Sequence, residues 1–389
     1  MLALRLARGS HPLVLLRRLA VAVAAAGTGF LLLSTVGHAA GHPSAADDSL
    51  VRLLWCTAPL AATAQFAVST ARTDPAARLQ RGMTAAGLGP LRLTLLATVS
   101  TTLTCLLGVF LALLVFLRLR GDLGGPSAAG FDADLLGAGH PVPLVGALML
   151  LATVPLTAAA ATAVALRPRH EAGAAETGAE ARPRTAPPSG LPWGIALAAA
   201  GLAIEAYTSR GTGGHGGLLP LPGRLIGSPP GVLAGWALSA FGLVLAGPGL
   251  VHLCGRLLCA GRPGALRLLS GRVLQEESHR LGRPLGVLCA VASAAYAAMK
   301  VYEASPARPF GPLTAVGAAV VLACVTASAL TAAVESRSAR AHTTAALRRL
   351  GASASVLHRA AALRAVALVI VLAPLTWTVA EMATLPLVH

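Results

Sequence analysis

The chain has 389 residues, 55% of them apolar and only 12% charged, with a mean hydropathy of +0.70. Soluble chains carry about 25% charged residues, and disorder requires low hydrophobicity, so a water-soluble enzyme and a disordered chain are both excluded. The net charge of +16 comes from 31 basic residues, all arginine except Lys300. These gather in short segments between apolar stretches, which is the pattern of membrane topogenesis and not of a nucleic-acid-binding face.

In chain order, nine apolar stretches read as membrane spans, near 19–38, 53–71, 93–117, 141–166, 191–208, 231–254, 284–302, 311–334 and 365–385. Crossing roughly 30 Å of hydrocarbon takes about 20 apolar residues, so the expected class is an all-α polytopic membrane protein in contact with lipid. The first stretch follows Arg17 and Arg18 and is longer than a signal-peptide core, so a retained helix is expected. The second is barely long enough, and the fifth is short and contains Glu205. Aromatics are scarce at 4%, and 42 glycines accompany abundant alanine. Small residues let helices approach closely in lipid.

Arginine counting orients the spans. With the N-terminus on the cytoplasmic side, inner segments hold 24 of the 31 basic residues and the C-terminus emerges outside. The inner stretch 167–190 is a low-complexity linker and a natural division between halves.

The sequence repeats itself at an offset of 262 residues. Ala3-Leu4-Arg5-Leu6 recurs as Ala265-Leu266-Arg267-Leu268, and Arg78 precedes Gly89 by eleven residues as Arg340 precedes Gly351. The same shift carries the first three spans onto the last three. Four segments follow: a first module over 1–166, the linker 167–190, two connecting helices within 191–254, and a shortened second module over 255–389. The counterpart of 141–166 would begin past residue 389, so the second module is expected to lack its last helix.

The loop Thr344–Ser353, TAALRRLGAS, followed by Leu357-His358-Arg359 and an apolar helix, resembles a segment of FtsX-like (MacB-type) ABC transporter permeases. The stretch Arg78–Gly89 is a degenerate version of the same motif, and the opening ALRLARGS is similar to the start of such permeases. The resemblance implies a permease subunit of a bacterial plasma membrane, working in export or mechanical transmission with a separate cytoplasmic ABC-type ATPase. It also implies that Arg78, Arg81, Gly89, Arg340, Arg348, Arg349, Leu350, Gly351 and Arg359 form the loops that contact that ATPase. An arginine-rich helix beside a membrane offers donors to carboxylates on a partner, and a glycine after Leu350 suits a helix C-cap. An ion-gradient-driven secondary transporter is the alternative, and would need ionisable groups near the bilayer midplane. A non-transporting membrane scaffold is a third.

No Gly-Lys-Ser/Thr occurs around Lys300, so the chain is not its own P-loop ATPase, and no HExxH or Gly-x-Ser-x-Gly is present. Neither an enzyme nor a cofactor site is expected. The six cysteines form no CxxC, and His252 beside Cys254 and Cys259 reads as packing, not as a metal site. Glu205 and Glu381 lie within expected spans, with Glu303 and Glu335 at span ends, where side chains snorkel readily. Gly231 and Gly235 form a GxxxG, the signal of a homo- or hetero-dimer face.

Overall fold

The computed structural model describes residues 12–42, 46–72, 90–122, 143–167, 190–210, 219–221, 225–228, 230–262, 264–304, 311–349, 351 and 353–388. They form α1 (Pro12–Gly41), α2 (Ala46–Trp55), α3 (Thr57–Arg72), α4 (Pro90–Arg120), α5 (Leu144–Leu166) and α6 (Gly190–Arg210). A short hairpin follows, β1 (Leu219–Leu221) antiparallel to β2 (Leu225–Ser228). The remainder is α7 (Pro230–Cys259), α8 (Ala265–Ala304), α9 (Pro312–Ala339), α10 (Ala341–Arg349) and α11 (Ala354–Val388). Eight of these helices are long and apolar enough to cross a membrane. The chain is a multi-pass, overwhelmingly α-helical membrane protein, with the β1–β2 hairpin as an element the all-α expectation did not include.

The helices overrun the expected spans, because arginine-bearing ends continue the helix beyond its apolar part. The largest overrun is α8. Its 40 residues extend about 60 Å at 1.5 Å per residue, about twice the hydrocarbon thickness. The expected span 53–71 falls on α2 and α3, which are separated at Cys56, and α3 has only 16 residues.

The described residues cluster into two compact units. The first takes those within Met1–Ala172 and Phe310–Ser328, the second those within Gly173–Pro309 and Ala329–His389. α7 packs along α8 within the second unit, and residues 312–328 belong to the first.

In the first unit α1 packs along α4. A Cβ at Gly108 would lie 2.9 Å from the Ala25 Cβ, and one at Gly29 would lie 3.1 Å from the Ala112 Cβ. Phe30 meets Phe116 edge-on at 6.4 Å. Partners advance together along both helices, so α1 and α4 run parallel. Buried Val21, Leu33, Phe66, Phe116, Leu151 and Val154 fill the core. Within it the Thr28 and Thr63 hydroxyls share a 2.8 Å hydrogen bond, and Thr28 also donates to the Ala24 carbonyl. Hydroxyls that return a bond to their own helix can sit in apolar surroundings without an unpaired donor.

The second unit is organised by glycine. On α6, Gly194 and Gly201 stand seven apart, as do Gly235, Gly242 and Gly249 on α7. A Cβ at Gly201 would lie 2.6 Å from the Gly235 carbonyl oxygen, and one at Gly194 would lie 2.7 Å from the Gly242 carbonyl oxygen. Partners run in opposite directions, so the pair is antiparallel. Spacing in sevens keeps the same residues on the seam, which lets two backbones touch over several turns. Gly235 therefore serves a seam within the chain.

On its other side α7 meets α8 in the same way. A Cβ at Gly271 would lie 2.6 Å from the Gly255 carbonyl oxygen. Pro248 has no N–H for the Val244 carbonyl four residues back. Gly286 of α8 lies against that carbonyl, with a Cβ position 3.1 Å away. α11 then packs parallel to α8, from Ser270, whose Oγ donates to the Ala360 carbonyl at 3.2 Å, to Tyr296, whose OH donates to Glu381 at 2.8 Å.

The seam predicts a graded response to added side chains. Gly201→Val and Gly242→Val should each cost about 1–3 kcal/mol through overpacking and lower the melting temperature in detergent. Gly317→Ala, whose Cβ would meet only Leu31 Cδ1 at 3.6 Å, should leave it unchanged. Equal melting temperatures for all three would refute the seam.

Candidate docking surface

The end of α7, the start of α8, the start of α11 and the corner between α9 and α10 carry the densest arginine. Gly255 and Gly271 close the α7–α8 hairpin there, and buried Val251, Cys254 and Leu274 pack with Leu368 and Val371 of α11. Around this apolar plug Arg256, Arg262, Arg267, Arg272, Arg280 and Arg283 are exposed. So are Arg337, Arg348, Arg349 and Arg359. Arg, with five donors in a planar fork, fits carboxylates and phosphates in two-point contacts.

The corner itself is bounded by the two residues that mark the sequence repeat. Arg340 opens α10, its carbonyl accepting the Thr344 N–H at 2.9 Å. Gly351 closes it with φ of +92°, a left-handed conformation that glycine adopts without steric cost. The Gly351 N–H donates to the Arg348 carbonyl at 3.1 Å. The expected glycine stop is therefore present, and the chain turns there into α11. The exposed Arg348 and Arg349 lie in the last turn of α10, where the helix dipole favours positive charge.

Arg340 differs from these arginines. Its Nε lies 2.7 Å from Glu277 Oε1 on α8, and its Nη2 donates to Ser336 Oγ at 3.0 Å. Nε also reaches the Ser336 carbonyl at 3.2 Å. The side chain expected to face a partner is thus bonded within the chain. Glu277 and Ser336 were not among the sequence-derived candidates. The available signal was an acidic pair, Glu276 and Glu277, amid a run of arginines. Arg78, Arg81, Gly89 and Leu350 lie outside the described residues.

The ionisable residues in the spans also have partners. Glu205, fully buried on α6, accepts the Trp236 indole N–H at 2.6 Å across the glycine seam. Glu381 accepts from Tyr296, and Lys300 Nζ stands 3.7 Å from the same oxygen. Trp377 in turn donates to the Tyr296 hydroxyl at 3.2 Å. Glu303 is exposed. Among the described residues no three His, Cys, Asp or Glu side chains converge as a metal would require. Cys259 receives a contact from Gln275 at 3.8 Å and donates to the Leu268 carbonyl, which makes it a packing residue of the α7–α8 turn.

The chain matches no family model, no curated protein and no solved structure.

Proposed function

We propose that the chain is the permease subunit of an ABC-type system in a bacterial plasma membrane. In this reading a separate cytoplasmic ATPase docks on the arginine-rich end of the second unit. The observation that carries it is the α9–α10–α11 corner, a short helix started by Arg340, ended by Gly351 at positive φ, and presenting Arg348 and Arg349 outward. That is the form a loop needs to offer rigid, unpaired guanidinium groups to an acidic partner surface. Arg359 follows one turn into α11 and extends the same basic surface.

The reading includes two copies of one helical module and nine crossings, and three features support it. α1 packs parallel to α4, and α8 parallel to α11. Tyr296 and Glu381 stand 85 residues apart, and Phe30 and Phe116 stand one residue further apart. In each copy, then, the first helix meets the third in matching register. Two parallel neighbours also require the chain between them to return across the layer. α3 is the apolar helix available for that return between α1 and α4, and α9 lies between α8 and α11. Nine crossings place the arginine-rich loops inside, as positive-inside sorting demands.

Two experiments test this. In a cysteine-free background, a membrane-impermeant thiol reagent applied from outside should label cysteines placed at Gly214 or Ser127 and spare those at Ala179 or Ala341. Labelling at Ala179 would reverse the orientation. Replacing Arg348 and Arg349 together by glutamate should abolish co-purification of an ATPase subunit expressed with the chain, because like charges at an interface cost several kcal/mol. A micromolar complex cannot absorb that loss. Insertion should survive, since the other arginines of the loop remain. Full retention of the ATPase by this variant would leave these arginines as topology signals alone.

A further inference from the structure

We propose that Glu277 is a positioning residue for the docking corner: through Arg340 it ties α10 to α8, so that a push on α10 is carried along α8 to its far end. The inference rests on the docking reading above and supplies the route by which docking acts.

Arg340 sits where it can do this. Its backbone starts α10, its side chain reaches back to the last turn of α9 at Ser336, and its Nε crosses to Glu277 on α8. Three helices thus meet at one residue, α8 and α9 through its guanidinium and α10 through its backbone. The contact is short, at 2.7 Å, and the two side chains are only 23% and 12% exposed. Charge-assisted bonds of this length and burial are stronger than exposed ion pairs. Among the described side chains of α10, those of Arg348 and Arg349 are exposed, and the helix ends at Gly351 with φ of +92°.

α8 is suited to carry the displacement. It is helical from Ala265 to Ala304 and is seated on α7 through the backbones of Gly271, Gly282 and Gly286. Pro284 removes one hydrogen bond from the ladder of α8 between Glu277 and Tyr296, and the backbone seats of Gly282 and Gly286 on α7, on either side of it, hold the two halves in line. Near its other end Tyr296 and Lys300 both engage Glu381 of α11. A shift at Glu277 is therefore delivered to a second polar contact about 19 residues on, roughly 28 Å at the helical rise. Arg340 would be the internal end of the docking surface, and Arg348, Arg349 and Arg359 its external face.

The test uses the full chain in lipid nanodiscs, with hydrogen exchange followed over 341–349 and 297–304, with and without a polyglutamate peptide as the acidic probe. E277Q should accelerate exchange over 341–349 by about tenfold, the factor one charge-assisted hydrogen bond supplies. In the unmodified chain the peptide should slow exchange over 341–349 and alter it over 297–304; in E277Q only the first effect should remain. The charge-swapped E277R/R340E pair should restore both behaviours, which a variant that had merely damaged the fold would not. R340K, which cannot hold Glu277 and Ser336 in one planar fork, should fall between. Unchanged exchange over 341–349 in E277Q, or a far-end response that persists in it, would overturn the proposal. A peptide without effect on the unmodified chain would instead remove the docking reading and the transmission with it, while the exchange of 341–349 in E277Q would still decide the tie itself.

Discussion

Lipid tails are as apolar as leucine, so burial of apolar surface does not draw helices together in a bilayer, and close packing has to do it. Gly201 against Gly235 and Gly194 against Gly242 are where this chain meets that constraint. Each contact places a carbonyl oxygen where a larger residue would put its Cβ, and so brings two backbones into van der Waals contact. Dispersion gains of about 0.1–0.2 kcal/mol per atom pair become appreciable only when many such pairs are made at once. With aromatics at 4%, bulky interlocking side chains are scarce, and the glycine seam takes their place. α7, held by α6 on one face and α8 on the other, is the member on which both seams depend.

Once α8 is fixed by this packing, the polar groups around it acquire defined positions. Glu205 shows the same dependence on the other seam. Its carboxylate reaches Trp236 only because Gly201 and Gly235 let the helices approach. A buried carboxylate without such a donor would carry a large desolvation penalty. The indole N–H meets part of that need from a residue type that is itself at home in an apolar layer.

The position of nearly every long helix was legible in the sequence, because an apolar run is a strong local signal. Their ends were not. Residues 265–283 hold four arginines and two glutamates, and so read as a loop, yet they are the first half of α8. Helix propensity of Arg, Leu, Gln and Glu is high, and once Gly271 and Leu274 pack on α7 the helix continues far past its apolar part. The α2–α3 break at Cys56 was equally hidden, since a continuous apolar run carries no mark of where it divides. The glycine stop at Gly351 was legible, because Leu-Gly after an arginine-rich helix has a local cause. The Glu277–Arg340 pair was not, since nothing local relates residues 63 positions apart. The Gly-x6-Gly spacing was present in the sequence and obscured by the more familiar GxxxG at Gly231 and Gly235.

The two polar ties of α8 are unequal, and the inequality has a direction. Lys300 and Glu381 are 3.7 Å apart with side chains 44% and 33% exposed, and solvent-exposed pairs of that kind contribute little. Tyr296 adds a neutral donor to the same carboxylate at 2.8 Å, worth about 0.5–1.5 kcal/mol more. The Glu277–Arg340 contact is shorter and better buried, and Ser336 holds the guanidinium from a second side. Strain applied along α8 would therefore release the Lys300–Glu381 end before the Arg340 end. If a partner docks as proposed, α8 would be held firmly at the docking end and loosely at the other, and the sequence places its single lysine at the loose end.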